Sequence, residues 1–377
     1  MASLLLIILQ LRLLDHTSTH SFLEFMSPDN VLIGTEIMAA GIIIIVAATY
    51  IHLYRKKRLY LYTASIRNNL EVWITNIILE ESAADIELPA KFYRILKNKA
   101  ARQLAIDELI SCKKNFSGTV ADTIVQLYNQ LDLKKDSLKK LNSKRKWHVK
   151  ARGIQELYLM DQKDVLKTIY KNTNNKNEFI RMEAQTGVIH MTGFAGLRFL
   201  DVISYPLTEW QQIKLLEQLR LTPSKEDFGE SISGWLLSKN DTVVVFALKL
   251  ADEYQQFSSR GNVVNCLVHP HESVRTQAVK ALIRLADEST PVILAGYFRK
   301  ESYINRAIML DALAALATED QSDFLLTLMD DPNNIIRLKA AIVLSNCCKD
   351  GMAILEKRAI EEPEPFERIL RHVKTVK

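Results

Sequence analysis

Cys266, His269 and His271 lie within the six-residue stretch CLVHPH, and thiol and imidazole groups are the ligands that Zn²⁺ prefers. A structural zinc site takes about four such ligands, and this stretch supplies three. Pro270 sits between the two histidines, as expected in a connection between two helices. We therefore favour a structural turn, with a metal site as the alternative.

Other motifs that would mark an active site are missing from the sequence. It contains no glycine-rich phosphate loop, no Gly-x-Ser-x-Gly elbow and no His-Glu-x-x-His pair. The adjacent acidic pairs are expected at helix ends or turns, where carboxylates are solvated; they are Glu80–Glu81, Asp330–Asp331 and Glu361–Glu362. The sequence predicts no catalytic residue, no cofactor, no metal and no small-molecule substrate.

The composition predicts an ordered, all-α protein. Of the 377 residues, 48% are hydrophobic and 25% are charged, which is typical of a folded chain. Only 12 glycines and 9 prolines are present, too few for the many tight turns of an all-β fold. The net charge of +5 does not by itself indicate nucleic acid. The scattered cysteines predict free thiols in a reducing compartment; they are Cys112, Cys266, Cys347 and Cys348.

Residues 31–54 are predicted to form a transmembrane helix. Between Glu36 and Arg55 lie 18 residues without Asp, Glu, Lys or Arg, and about 20 apolar residues are needed to cross the hydrocarbon core. Tyr50 and Tyr54 lie where interfacial aromatic residues are found. The structural alternative is a buried helix of a soluble protein.

The charges on either side of this segment predict its orientation. Four cations follow it directly, at Arg55, Lys56, Lys57 and Arg58. Cations remain on the cytoplasmic side, so the amino terminus is expected outside and the large carboxyl-terminal region inside, at the cytoplasmic (inner) membrane. Residues 1–30 are either a short extracytoplasmic leader that is not cleaved or a non-native start, with translation beginning at Met26.

A repeat of 31 residues runs through the carboxyl-terminal part. The stretches beginning at His269 and Asp331 align, so that Arg275 coincides with Arg337, and half the offset falls on Arg306. The shared pattern Arg-x-x-Ala-x-x-Ala-Leu-x-x-Leu places apolar residues on one helix face. Extension of the period, with a single one-residue slip, gives eight anchor positions: Lys150, Arg181, Gln212, Val244, Arg275, Arg306, Arg337 and Arg368.

Second helical stretches lie between the anchors, so each unit is predicted to be a helical hairpin. A single hairpin cannot bury its apolar face, whereas stacked neighbours can, which produces an α-solenoid. We assign residues 146–377 to this array, with a polar capping helix from Phe366. Residues 55–145 are expected to be a juxtamembrane helical region; whether residues 59–145 are divergent repeats is left open.

The segments DDPNNIIRLKAA and HPHESVRTQA resemble the short HEAT-like repeat, Asp-Pro-x-x-x-Val-Arg-x-x-Ala. The resemblance covers roughly residues 146–377 and is that of a membrane-anchored bacterial HEAT-repeat protein; it implies a right-handed α-solenoid. Gln212 and Val244 depart from the pattern at the arginine position, and His269 takes the place of the turn aspartate, Asp331.

The repeated arginines have two interpretations. The resemblance implies that each one bonds acceptors in the turns of its own and the adjacent repeat. The alternative is a ladder along the inner surface that binds an anionic partner; its members would be Arg181, Arg275, Arg306, Arg337 and Arg368.

The basic run between Lys134 and Arg152 also has two interpretations, a solvated helix face or contact with anionic lipid. The candidate lipid contacts are Arg55, Lys56, Lys57, Arg58, Lys144, Arg145 and Lys146. Nucleic acid is the less favoured partner, because aromatic stacking residues are sparse here.

Two classes of function follow from these features. The first is a membrane-tethered, non-catalytic scaffold whose solenoid binds a partner protein, itself a membrane protein or not. An accessory role in an envelope or glycosyltransferase system is the assignment that we favour. The alternative is a HEAT-like enzyme of the bilin lyase or DNA glycosylase type, against which the apolar segment counts.

Overall fold

The computed structural model describes residues 28–79, 90–221 and 228–376. The predicted leader up to residue 27, with the alternative start at Met26, lies outside these ranges, as do Pro89 and the Glu80–Glu81 pair. Within them the chain is helical and contains no strand, which confirms the all-α class. Two compact units are formed, one ending at Leu133 and the other beginning at Lys134.

In its described residues the first unit contains four helices: α1 (Pro28–Leu79), α2 (Ala90–Ile95), α3 (Lys99–Asn115) and α4 (Thr119–Gln130). The first part of α1 is apolar and fully exposed, and it is the one helix of the described chain that is long and apolar enough to cross a membrane. Further along the same helix, Ile66, Leu70 and Trp73 are buried where α1 packs on α3. Thus α1 changes from an all-round apolar rod to an amphipathic helix without a break.

The juxtamembrane region is helical in its described residues, as expected, and residues 90–115 of it are divided between α2 and α3. The division falls at Asn98, which adopts an extended conformation and whose side chain accepts from the N–H of Ala100 as the N-cap of α3. The last part of α1 also belongs to this region, and there Leu70 and Trp73 are buried.

The second unit alternates long and short helices. The long helices carry the anchor positions, and in seven of them the anchor is the fourth helical residue, as Arg275 is in the helix that begins at Glu272. These helices are α6 (Trp147–Leu159), α8 (Glu178–Thr192), α9 (Glu209–Arg220), α11 (Asp241–Glu253), α13 (Glu272–Arg284), α15 (Tyr303–Leu316) and α17 (Asn334–Cys347). The sequence period therefore corresponds to a constant place near each helix start.

The remaining helices of this unit are shorter connections and the final helix. They are α5 (Lys134–Leu141), α7 (Leu166–Tyr170), α10 (Gly229–Leu236), α12 (Arg260–Asn265), α14 (Thr290–Tyr297), α16 (Ser322–Leu328), α18 (Gly351–Glu361) and α19 (Pro363–Val376). The long helices pack on one another in chain order, with α11 on α13, α13 on α15 and α15 on α17.

The core of the second unit is formed by the predicted apolar stripe. Ala278 and Leu282 in α13, Leu313 in α15, and Ala340 and Leu344 in α17 are all inaccessible to solvent. A small residue at the first of these positions lets neighbouring helices approach, and the leucine fills the space beside it. The repeat array was expected to begin at residue 146. The compact unit begins earlier, at α5.

Several of the short helical connections between the long helices are 3₁₀ helices, which are wound more tightly than α-helices. The segment Gly193–Asp201 is a 3₁₀ helix rather than an α-helix, and so are Cys266–Val268 and Phe298–Lys300. The terminal helix α19 is amphipathic rather than uniformly polar. Its Phe366, Ile369 and Val373 are buried against α17 and α18, while Arg368 is exposed.

Candidate functional site

Four of the turns that precede the long helices share a capping device. In these turns, those before α8, α11, α13 and α17, a side chain two residues before the N-cap accepts a hydrogen bond from the N-cap backbone N–H. Asn175 accepts from Asn177 at 2.9 Å, Ser238 from Asn240 at 3.2 Å, His269 from His271 at 3.1 Å, and Asp331 from Asn333 at 2.8 Å. Four different side chains therefore satisfy the same backbone donor.

The hydrogen bond to His269 determines the state of its ring. Because Nδ1 accepts the His271 N–H, the proton of a neutral His269 ring must lie on Nε2. That nitrogen faces Asp241 Oδ1 at 3.7 Å, and His271 Nε2 lies 3.4 Å from Asp241 Oδ2. A protonated nitrogen cannot bind a metal, and the Cys266 thiol is buried, where the apolar surroundings raise its pKa to about 11.

These contacts oppose a zinc site at the CLVHPH stretch. Zn²⁺ requires a thiolate and bare imidazole nitrogens, whereas here the thiol is held in its neutral form and one imidazole nitrogen is already engaged. No group of three or more His, Cys, Asp or Glu side chains in the described ranges has an arrangement that could hold a metal ion.

The arginine anchors bond the turn before their own helix and reach the following turn. Arg275 Nη1 donates to the carbonyl oxygens of His269 and Pro270 at 2.9 and 3.0 Å, and its Nε donates to Glu301 in the next turn at 3.0 Å. Arg306 Nε donates to the carbonyl of Glu301 at 3.1 Å, and its Nη1 lies 3.6 Å from Asp331 in the turn beyond.

Arg181 follows the same scheme with a different second partner. Its Nη1 donates to the carbonyl oxygen of Asn175 at 2.8 Å, and its guanidinium lies 4.4 Å from the ring centroid of Tyr205 in the next turn. Only 6% of Arg181 is exposed, so this arginine is part of the packing between turns rather than an open contact for a ligand.

Gln212, which departs from the repeat pattern, takes over the arginine's role. Its side-chain amide donates to the carbonyl of Leu207 in its own turn at 3.2 Å and to that of Thr242 in the next turn at 3.4 Å. Val244 is instead fully buried. At the end of the series, Arg337 bonds Asn334, while Arg368 bonds Glu364 of its own helix start at 3.0 Å and is 77% exposed.

Glu301 is the most buried acid in these turns, at 5% exposure. One of its carboxylate oxygens accepts from Arg275, and the other accepts from Asn305 Nδ2 at 2.7 Å. Its backbone carbonyl accepts from Arg306. Burial of a carboxylate has a desolvation cost in free energy, which these hydrogen-bond donors offset. Because Glu301 accepts from both Arg275 and Arg306, it connects two successive anchors.

A groove of about 870 Å³ lies across the starts of α9, α11 and α13. We refer to it as the α9–α13 groove. Most of the residues that line it have polar side chains, and both signs of charge are present; the lining includes Glu209, Gln212, Lys239, Asn240, Asp241, Thr242, Val245, Lys249, His271, Ser273, Thr276 and Gln277. Among them, burial lowers the pKa of Lys249, against the opposing effect of Glu209.

Polar pairs outside the groove join consecutive long helices. Lys214 bonds Glu183 at 3.2 Å, Arg220 bonds Glu253 at 2.7 and 2.8 Å, and Arg284 bonds Asp252 at 3.2 Å. The hydrogen bond from Arg220 lowers the pKa of Glu253, whereas burial raises the pKa of its neighbour Asp252. These pairs hold the faces of the helices in register.

Exposed apolar side chains recur two residues before the anchors. At this position Phe179 is 49% exposed, Trp210 66%, Ile304 62% and Ile335 48%. The equivalent residues Thr242 and Ser273 line the α9–α13 groove. The row follows the same period as the anchors, but the sequence pattern predicted only the buried face of each long helix, so these exposed positions were not predicted.

The candidate lipid contacts fall into two groups. Arg55, Lys56, Lys57 and Arg58 are exposed on α1, where Arg58 donates to the Tyr62 hydroxyl at 3.1 Å. Lys144, Arg145 and Lys146 are exposed in the loop that joins α5 to α6. Other cations of the basic run are engaged within the unit, since Lys134 bonds Asp164 at 2.7 Å and Lys140 bonds the buried Glu156 at 2.6 Å.

Comparison with known proteins gives limited similarity. No protein-family model and no curated protein matches the chain. Among solved structures, it is similar to an engineered protein with a TM-score of 0.37 and 12% identity, over 74% of this chain and 86% of that one. It is also similar to human deoxyhypusine hydroxylase in complex with glycerol, with a TM-score of 0.30 and 15% identity, over 68% of this chain and 94% of that one.

Proposed function

We propose that this protein is a membrane-tethered, non-catalytic scaffold. The observation that carries the proposal is the start of α1, where the most hydrophobic 18-residue window has a mean hydropathy of 2.4 and none of it is buried. Exposing so many contiguous apolar side chains to water is unfavourable, whereas a bilayer solvates them. The Arg55–Arg58 cations then favour an amino terminus outside and a cytoplasmic second unit.

The second unit is proposed to be a HEAT-like, right-handed α-solenoid. Support comes from the constant place of the anchor in the long helices, from the packing of α11, α13, α15 and α17 in chain order, and from anchors that bond two successive turns. In such arrays each hairpin is stabilised mainly by its neighbours, and the array presents an extended surface.

A partner protein is proposed to bind this surface through the α9–α13 groove and the exposed apolar side chains of Trp210 and Ile304. Trp210 and Ile304 offer large apolar contacts, and the groove offers side-chain donors and acceptors for orientation. The proposed partner is a component of a membrane-associated system, such as an envelope or glycosyltransferase assembly. No cofactor, metal or nucleic acid is part of the proposal.

Membrane fractionation of the full chain tests the tether. Wild-type protein should remain in the pellet after alkaline carbonate extraction, and a variant with Ile44→Lys and Ile45→Lys should be released. Ile360→Lys, on the exposed face of α18, is the matched control and should remain in the pellet. Release of the wild-type chain by carbonate would contradict the tether.

Site-specific photocrosslinking in the native cell tests the scaffold. A photoreactive residue at Trp210 or Ile304 should give one discrete adduct, whereas the same residue at Ile360 should give none, although Ile360 is 82% exposed. Adducts of equal yield at all three positions, or at none of them, would contradict a partner surface on the long helices.

A further inference from the structure

Trp147 and Phe179 form a stacked aromatic pair on the surface of the second unit. Their ring centroids are 4.6 Å apart with an interplanar angle of 20°. Trp147 is the first residue of α6, and Phe179 is the second residue of α8. The two side chains are 45% and 49% exposed, so the pair lies outside the core although each ring covers part of the other.

Four cations lie close to this aromatic pair in the chain. Lys144, Arg145 and Lys146 directly precede Trp147, and Lys176 lies in the turn that leads to Phe179. All four are exposed, and in the described part of the chain none of them forms an ion pair. The stack brings the two turns side by side, with Glu178 as the acidic residue among them.

We propose that this aromatic–basic patch, consisting of Lys144, Arg145, Lys146, Trp147, Lys176 and Phe179, docks on the surface of an anionic lipid bilayer. Tryptophan and phenylalanine rings partition to the headgroup level, where an apolar body and a polar environment meet. Unpaired lysines and arginines beside them attract anionic headgroups. The two components act together, as stable surface binding by a short segment requires.

A nucleic acid fits the patch less well. Single strands are bound by aromatic faces that remain open for bases to stack on, and here one face of each ring is occupied by the other ring. The proposal does not depend on insertion of α1, because the patch belongs to the second unit and would contact lipid from the aqueous side.

Fluorescence quenching by brominated lipids tests the proposal on the full chain, added to or reconstituted in vesicles. The emission of Trp147 is obtained as the difference between wild type and Trp147→Phe, which leaves the three other tryptophans unchanged. We expect brominated anionic vesicles to quench this component and brominated neutral vesicles to leave it unquenched. In a variant with Lys144→Glu, Arg145→Glu and Lys146→Glu the quenching should be lost, and the affinity for anionic vesicles should fall by about tenfold or more.

Three results would overturn the proposal. The first is a Trp147 component that neither composition quenches, and the second is equal quenching by neutral and anionic lipid. The third is tight binding of a labelled single-stranded RNA that the triple variant loses while lipid quenching is absent. If the circular dichroism spectrum of the triple variant is unchanged, a loss of quenching is due to the missing cations of the patch and not to unfolding. Failure of the proposed membrane tether would be detected in a different experiment, as release of the wild-type chain from membranes by alkaline carbonate.

Discussion

His269 and Asp331, 62 residues apart in the chain, make the same hydrogen bond in copies of one turn that lie two repeats apart. Each accepts the backbone N–H of the residue two places later, His269 through Nδ1 at 3.1 Å and Asp331 through Oδ1 at 2.8 Å. The imidazole Nδ1 of the histidine therefore takes the place of the aspartate carboxylate as the turn acceptor. This accounts for its presence beside a proline and a second histidine without invoking a metal.

Substitution of His269 tests this equivalence. His269→Asp should retain the acceptor and leave the free energy of unfolding within about 0.5 kcal/mol of wild type, whereas His269→Ala should lower it by about 1 kcal/mol. Asp331→Ala should cost at least as much, since Asp331 also faces Arg306. Denaturant titration measures all three; equal losses for His269→Asp and His269→Ala would show that the ring nitrogen is not acting as a cap.

The protein should not bind zinc at one ion per chain, and added zinc should not stabilise it. The Cys266 thiol, whose pKa is raised to about 11, and the engaged Nδ1 of His269 both oppose ligation. Elemental analysis of purified protein should find well below one zinc per chain, and added Zn²⁺ should leave Tm unchanged. A 1:1 content that falls in His271→Ala would establish a site.

Removal of the Glu301 charge should destabilise two successive turns together. Glu301→Gln weakens the bonds from Arg275 and Asn305, both largely buried, and we expect a loss of about 2 kcal/mol in the free energy of unfolding. Glu288→Gln is the matched control, because Glu288 is exposed and its loss should change stability by less than about 0.5 kcal/mol. Similar values for the two variants would contradict the bridging role.

Neighbouring carboxylates at the end of α11 should respond to pH in opposite directions. The pKa of Glu253 is lowered, mainly by its hydrogen bond from Arg220, so its contribution to stability is present above its unfolded pKa of about 4.3 and is lost as the pH falls through the lower folded value. Glu253→Gln should therefore lower Tm at pH 7, and the difference from wild type should shrink below about pH 4.

Asp252 provides the control of opposite sign. Burial raises its pKa, so its charged form is disfavoured in the folded state, and stability gains as the pH falls through the raised value. Asp252→Asn should leave Tm at pH 7 unchanged or higher. Thermal scans from pH 3 to 7 distinguish the two variants; parallel curves for both would contradict the assignment.

Two helical glycines should differ sharply in their tolerance of alanine. A Cβ added at Gly153 in α6 would lie 2.4 Å from the backbone nitrogen of Leu141, so the approach of α5 to α6 depends on that glycine. We expect Gly153→Ala to cost about 2 kcal/mol. Gly234→Ala in α10 meets no atom within 4 Å and should gain up to about 1 kcal/mol. Denaturant titration of both variants measures the contrast; an equal gain would show that α5 can move away.

The parts of the fold that depend on one helix face were predictable from the sequence. The period placed Arg275, Arg306 and Arg337 at equivalent positions, and each is the fourth residue of its helix. Apolar spacing predicted the buried faces of α13, α15 and α17, because helix geometry converts sequence spacing directly into a side of the helix.

The resemblance implied arginine bonds between turns, but the particular partners could not be predicted from the spacing. Glu301 and Asp241 occupy ordinary polar positions in the sequence, and only the packing of successive turns brings Glu301 to Arg275 and Asp241 to His269. The capping role of His269 was missed because histidine is not among the usual turn acceptors. The Trp147–Phe179 stack joins residues on different helices, which periodicity within one helix cannot reveal.

The contacts of Arg275 and Arg306 with the following turn all point the same way along the chain. Each guanidinium finds a partner in the turn that follows it, at Glu301 and Asp331 respectively, so damage to one turn removes a partner from the helix before it. Local unfolding of one turn should therefore destabilise the preceding helix more than it destabilises the following one. In the described residues Arg368 bonds Glu364 at the start of its own helix, so α19 is not held by a bond of the kind that Arg275 and Arg306 make to a following turn.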